Sequence, residues 1–350
     1  MTKVTAFPIR KEFAKDTRKD LGAAMAAGPI LGPYQLAAWE KGRRLVIEGN
    51  PKFTGMRPVY RVDFFIGAHP LLLTKFKQGR LDTLPNPTTE DLLGLPRKNI
   101  QVSPYWATRI LVANVGRKSL SDPHLRRSIL YSLDRSRLPG VLKNGERSAT
   151  GVIPPGLPGH RELPLVTADA SRAQSERIRA TPSGPLKLTL LIHAGAVEKD
   201  VAQWISSELS KVQVKLKIQA RTDRGFEEAF AAGQFDLAVQ VWSFDIASPL
   251  DLLRAYRTGS PMNHGHWTHV AYDALLTQLL NQAPQTKDLD AQSLDEITRI
   301  IEVQEAAVIP LGYPAQSILL GPRVSSFAMT PYGDPDLIRI ELRTSGNKRR

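Results

Sequence analysis

A chain of 350 residues, 42% hydrophobic and 23% charged, holds enough apolar material for two compact bodies and lacks the polar bias of a disordered polymer. Cysteine is absent, which removes disulfides, thiolate metal sites and a cysteine nucleophile. The 47 lysines and arginines outweigh 34 carboxylates by +13, but the basic residues are spread along the chain, so a solvated basic surface is expected and no specific nucleic-acid binding. No apolar run reaches the roughly 18 residues of a membrane span. Met1 to Lys19 alternates basic and apolar residues, without the apolar core and small-residue cleavage site of an export signal.

The opening is extended and turn-rich, broken at Gly28-Pro29, Gly32-Pro33 and Asn50-Pro51, with a short strand at Arg44–Glu48. Val59–Ile66 predicts another strand, and Leu71–Gln78 a helix closed by Gly79. Strands follow at Ile100–Val102 and Ile110–Asn114, an order that signals an α/β architecture. Ser121 and Asp122 open the clearest helix, with Pro123 in its first turn. Leu125, Ile129, Leu130 and Leu133 form its apolar face, while Arg126, Arg127 and Arg135 project elsewhere. Gly140–Pro185 reads as a long surface excursion.

A regular βαβ passage comes next: strand Leu186–His193, helix Val197–Val212 and strand Val214–Ala220. Helix Phe226–Ala232 leads to a buried strand, Phe235–Trp242. Helices are expected near Leu250–Tyr256, Tyr272–Leu280 and Leu289–Ala306, then strands at Val308–Tyr313, Ser317–Leu320 and Leu337–Leu342. No internal repeat is evident.

Four segments carry a family pattern in one order. The first is Gly32-Pro33-Tyr34-Gln35-Leu36 with Trp39, Gly42 and Asn50-Pro51-Lys52-Phe53; the second is Phe76 to Asp82. The third runs from Asn114 through Leu120-Ser121-Asp122-Pro123-His124-Leu125-Arg126-Arg127 to Asp134-Arg135. The fourth is Gly233-Gln234-Phe235-Asp236, then Trp242-Ser243-Phe244-Asp245, Pro249 and Tyr272-Asp273. Together they resemble the bacterial extracellular solute-binding proteins of family 5, the peptide/nickel-binding proteins of ABC transporters. Phe53 stands where that family usually has tyrosine.

The resemblance implies an α/β fold of the two-lobe, type II periplasmic-binding-protein kind. It is expected to lack the N-terminal part of lobe I and the family's extra subdomain, and missing strands would leave a sheet edge unpaired. Residues 1–113 are expected to supply part of lobe I, 114–312 lobe II, and 313–350 the return to lobe I with a basic tail. The implied function is solute binding for a peptide/nickel-type ABC importer, with a peptide or other small solute taken between the lobes and the complex read by the transporter permease. Contact with the membrane is expected only through the transporter, as a periplasmic monomer. The alternative is a truncated homologue acting as an intracellular sensor or interaction module.

Asp245 is the leading ligand residue, since the matching family position in peptide binders pairs with the ligand's amino terminus; capping of the helix near Pro249 is the competing role. Trp242 suits stacking on the ligand or a place in the core. Tyr105, Trp106 and Arg109 lie on the strand approaching the hinge, and Arg109 suits a carboxylate by bidentate pairing, or a surface salt bridge. Asn263 and His266 are expected at a cleft rim. His264, His266 and His269 form the one histidine cluster, but a His-x-His loop with no adjacent carboxylate favours polar contacts over a metal. No cofactor is expected. The sequence holds no G-x-S-x-G elbow, phosphate loop or H-E-x-x-H, so a non-enzymatic binder is expected.

Overall fold

In the computed structural model of the protein, which describes residues 32–55, 61–85, 99–103, 105–181, 183–282 and 289–343 with positions 87, 91 and 96, the chain divides into two units. One comprises Met1–Pro104 with Gln316–Arg350, the other Tyr105–Ala315. Val59 and Tyr60 of an expected strand, the Met1–Lys19 segment and the tail Lys348–Arg350 lie outside the described residues.

The first unit opens with an antiparallel meander of β1 (Tyr34–Glu40), β2 (Arg44–Gly49) and β3 (Arg61–Phe65). The turn from β1 to β2 passes through Gly42 at φ +76°, a left-handed conformation that costs glycine little. Helix α1 (His69–Lys77) places Pro70 in its first turn, where the missing N–H costs no hydrogen bond. It ends as the sequence predicts: Gly79, at φ +69°, donates to the Phe76 carbonyl and Arg80 to that of Lys75, the two bonds of a Schellman motif. A second sheet sets β12 (Gln316–Leu320) between β4 (Thr83–Pro85) and β5 (Ile100–Ser103). Two short strands, β13 (Val324–Ser326) and β14 (Glu341–Leu342), pair beside it. The expected strand Leu337–Leu342 is thus reduced to its last residues, because Leu337–Arg339 coils into a 3₁₀ turn after Pro335. Among the described residues, Ile318, Val324 and Phe327 form a small buried cluster here.

The second unit is built on a six-stranded sheet. Its central strand is β6 (Ala107–Ala113), every residue of which is buried. Strand β10 (Leu237–Ser243) pairs with it antiparallel on one side, and β11 (Val308–Tyr313) on the other. Strand β8 (Leu186–His193) runs parallel to β10, β9 (Val214–Arg221) runs parallel to β8, and the short β7 (Arg147–Ser148) closes the far side on β11. The unit begins ahead of Asn114, the expected lobe boundary, because β6 finds both its partners within it.

Helices cover both faces, as continuous apolar strands require. Leu111, Leu188, Leu190, Ile192 and Leu237 face α2 (Pro123–Ser132), α3 (Leu138–Leu142), α4 (Ala170–Arg179) and α5 (Ala196–Ser210). Ile110, Leu191, Ala238 and Val308 face α6 (Asp223–Ala231), α7 (Leu250–Ala255), α8 (Val270–Gln282) and α9 (Ala291–Arg299). Asp122 caps α2, its Oδ1 accepting from the His124 amide at 2.8 Å.

Three expectations change. Arg126 and Arg135 do not project into solvent but are buried: Arg126 donates to the Leu120, Ser121 and Glu305 carbonyls and to the Glu305 carboxylate, and Arg135 to the Val166 and Pro310 carbonyls. The excursion contains α4, which Asp169 caps through the Arg172 amide and Ser128 holds to α2 by donating to the Ala173 carbonyl at 2.8 Å. The helix expected from Leu289 starts at Ala291 and relaxes into a π turn, Ile300–Gln304, which ends near Ala306 at φ +45°.

Candidate functional site

The end of β10 leads to Asp245, which with His266 is one of the two exposed residues among the predicted site groups. Ser243 is in register with Ala107 and Trp242 with Thr108, so the tail of β10 lies beside the head of β6. Past the ladder, the Phe244 amide donates to the Trp106 carbonyl at 2.9 Å, and the Tyr105 hydroxyl meets that of Ser243. Phe244 is buried and anchors the chain at the corner. Asp245 follows it into solvent, and its backbone N–H donates to Asp251 Oδ2 at 2.9 Å. Asp251 stands in the first turn of α7, whose Leu250 amide is taken by the Ser248 hydroxyl at 3.3 Å. This corner therefore presents two carboxylates beside Tyr105 and Trp106, an arrangement that accepts hydrogen bonds from an ammonium group.

Trp242 is 8% exposed and packs in the core, and its buried indole nitrogen has no hydrogen-bond partner among the described residues. Trp106 is half-buried against the same core. Gly156, at φ +89°, passes close to it: a Cβ there would lie 3.0 Å from Trp106 Nε1.

Arg109 lies elsewhere. Its neighbour Leu111 belongs to the α2–α5 face and Trp242 to the α6–α9 face, so alternation along β6 puts Arg109 and Trp242 on opposite sides of the sheet. The structure places the Arg109 fork on Glu146, with Nε–Oε1 at 2.8 Å and Nη2–Oε2 at 3.0 Å, and Glu198 Oε1 at 3.5 Å from Nη1. Burial works against the Arg109 charge, but the two glutamates outweigh it and raise its pKa above the ordinary arginine value. It is a core ion pair and not an exposed salt bridge.

Asn263 and His266 sit at the other end of β6. The Val115 amide donates to the Gly265 carbonyl at 2.8 Å, and a Cβ on Gly265 would approach the Ala113 carbonyl to 2.7 Å. Seven strand residues separate that end from Tyr105, about 20 Å. Asn263 is buried and staples its own loop, donating to the Trp267 carbonyl at 2.6 Å and accepting from the Trp267 amide at 3.3 Å. His266 is exposed at φ +54°. His264 packs edge-on against Phe230, and burial lowers its pKa despite the nearby Glu227. His269 stacks on Trp267 while its Nδ1 accepts from the Tyr272 amide at 3.2 Å. Among the described residues no group of His, Asp and Glu is placed to hold a metal ion.

The predicted residues thus divide among three places: the Asp245 corner with Tyr105, Trp106 and the buried Trp242; the Arg109 ion pair; and the histidine loop. Ser243 and Asp251 escape the sequence reading. Ser248-x-x-Asp251 before an apolar run has the form of a capping box and could have marked Asp251.

Comparison with known proteins bears on this geometry. The model of "Bacterial extracellular solute-binding proteins, family 5 Middle" matches residues 1–264. The probable D,D-dipeptide-binding periplasmic protein DdpA of Escherichia coli (strain K12) is 26% identical over 92% of this chain and 64% of its own length. The periplasmic oligopeptide-binding protein OppA of Salmonella typhimurium is 23% identical over 85% of this chain and 57% of its own. The chain therefore spans less than two thirds of the length of either relative. Among solved structures, the ABC transporter substrate binding protein CtaP of Listeria monocytogenes superposes with a TM-score of 0.80 at 16% identity, over 96% of this chain and 72% of that one. Haemophilus influenzae OppA, solved in complex with RPPGFSPFR, gives 0.74 at 17% identity, over 96% and 69%. The fold is that of the type II periplasmic binding proteins.

Proposed function

Because this chain belongs to the family 5 bacterial extracellular solute-binding proteins, we propose that it is the solute-binding component of a peptide-type ABC importer, holding a peptide by its terminal ammonium at Asp245. The observation that carries this reading is the corner itself: an exposed carboxylate just past a buried strand, its backbone pinned by a second carboxylate. Two acidic groups fixed in this way favour a cation, and a charged hydrogen bond of this kind contributes about 1.5–3 kcal/mol. The dipeptide and oligopeptide ligands for which the relatives are named, and the peptide in the Haemophilus structure, support a peptide as the solute.

The role is binding without catalysis, as for the rest of the family. The partner is the importer's permease, the protein acts as a monomer outside the cytoplasm, and the membrane is met only through the transporter. No helix among the described residues is long and apolar enough to cross a membrane.

Calorimetric titration of the purified chain with di- to pentapeptides tests the reading. Free-amine peptides bind, N-acetylated ones bind at least tenfold more weakly, and Asp245→Ala erases that difference. Equal binding of both peptide forms to the unaltered protein overturns the assignment of Asp245.

A further inference from the structure

The helical cover is incomplete over one end of the six-stranded sheet. Strands β8 and β9 run parallel and in register along their whole length, Leu186 beside Val214 through His193 beside Arg221. Leu186, Leu188, Val214 and Leu216 turn to the α2–α5 face. Alternation therefore puts Lys187, Lys215, Lys217 and Arg221 on the opposite face, and all four are exposed. Parallel strands are ordinarily buried on both faces. Here one face of the outermost pair is wet and basic.

The register sets these charges against one another. Lys187 stands directly opposite Lys215, with about 4.8 Å between the strands, and Lys217 follows about 6.6 Å further along β9. Like charges directly opposite destabilise a sheet, and at separations under the Debye length of about 8 Å their fields add. Among the described residues none of the four has a carboxylate at ion-pair distance. The neighbouring carboxylates are engaged elsewhere: Asp223 with His193 at 3.1 Å, Glu228 with Arg224 at 2.8 Å, and Asp236 with the Thr189 amide at 2.7 Å.

Helix α6 borders the strip. His193, on the same face, stacks on Phe226 at 3.8 Å, and a Cβ on Gly225 would lie 3.6 Å from Arg221 Cβ. A helix packed on a sheet stands about 10 Å above it, so the cations line a step between α6 and the sheet edge. A flat bilayer or a duplex approaching that face meets α6 first. Thr189 and Gln219, the neutral residues between the cations, provide no ring for a nucleic-acid base to stack on. A single polypeptide strand fits the step.

We infer that this strip docks an acidic segment of a separate protein, an extended stretch with carboxylates at alternate residues. Alternate side chains of an extended chain recur at about 6.6 Å, the interval between Lys215 and Lys217. One carboxylate set between Lys187 and Lys215 turns their repulsion into a shared ion pair, and Arg221 takes another by its fork. The strip lies wholly in the second unit and does not depend on the role given to Asp245.

Fluorescence polarisation with a labelled octapeptide of alternating glutamate and threonine, N-acetylated and C-amidated, tests this on the full chain. Blocked termini withhold the ammonium proposed for Asp245, so either reading can fail alone. Saturable binding is expected, weakened at least tenfold by Lys215→Glu with Lys217→Glu and unchanged by the same charge reversal at Lys41 and Lys143. Reductive methylation read by mass spectrometry should slow at Lys187, Lys215 and Lys217 when the peptide is bound. Without peptide, Lys215→Glu should raise the thermal midpoint by about 1–3 °C, since it sets opposite charges in register. Absence of binding, an equal loss in the Lys41 and Lys143 variant, unprotected strip lysines, or an unraised midpoint overturns the inference. So does tighter binding at the same lysines of phosphatidylglycerol vesicles or of oligodeoxythymidine, which would give the strip to a membrane or to a nucleic acid.

Discussion

Glu146 grips Arg109 with both carboxylate oxygens at the centre of the six-stranded sheet, and neither side chain is more than 5% exposed. Removing one partner strands the other charge in the interior, which costs about 3–5 kcal/mol. Glu146→Ala should therefore destabilise the second unit by that amount, and Arg109→Met combined with Glu146→Leu by much less. Four of the five tryptophans lie in that unit, so denaturant unfolding followed by tryptophan fluorescence reads the difference.

The same pair explains a glycine. A Cβ on Gly312 would stand 2.3 Å from Glu146 Oε1 and 3.0 Å from Leu138 Cδ2. Gly312→Ala should cost about 1–3 kcal/mol through overpacking. In the Glu146→Ala background most of that cost should vanish, and a double-mutant cycle by urea unfolding reports the coupling.

Asp122 joins two helices with one carboxylate. Oδ1 takes the His124 amide, while Oδ2 takes the Thr181 amide at 2.8 Å and the Thr181 hydroxyl at 2.9 Å, just beyond the end of α4. Partial burial pushes its pKa up, but the Thr181 and His124 amides and the Thr181 hydroxyl outweigh it, leaving a net shift below the ordinary 3.8. The folded state thus favours the carboxylate. The stabilisation is complete above the unfolded pKa and is lost as pH falls through the lower folded value. Asp122→Ala should cost about 2 kcal/mol near neutral pH. The deficit of Asp122→Asn, measured by denaturant midpoints, should shrink as the pH drops below 3.8.

Asp251 bears on the proposed solute site through geometry. Asp251→Ala releases the Asp245 amide. Peptide affinity should fall by about three- to tenfold, less than for Asp245→Ala, since a neutral backbone bond is worth about 0.5–1.5 kcal/mol. An affinity unchanged by titration calorimetry would show that the pinned amide does not organise the corner.

Much of the second unit was readable because its elements announce themselves locally. Asp122-Pro123 with Leu125, Ile129 and Leu130 contains a cap, a first turn and an apolar stripe, and α2 forms there. Leu186–Arg221 alternates strand and helix periods and becomes β8–α5–β9. Helix α4 was hidden because its buried face consists of only Ala173 and Arg177. Arg177 reads as a surface charge until its guanidinium is seen on the Val212 and Gly184 carbonyls. The site residues were legible one at a time but not as a group. Arg109 and Trp242 differ in which side of a strand they occupy, and Asn263 lies at the wrong end of β6; both facts depend on pairing with distant strands.

The placement of β6 also bears on how the chain reaches its fold. This wholly buried strand precedes its partners in the chain, yet the Asn114 side chain at its end bonds a carbonyl 121 residues further on, and β11 comes later still. At about 5–20 residues per second of synthesis, β6 waits many seconds on the ribosome with neither neighbour available. Refolding in a tube meets the same long loop closure, so slow recovery follows from strand order.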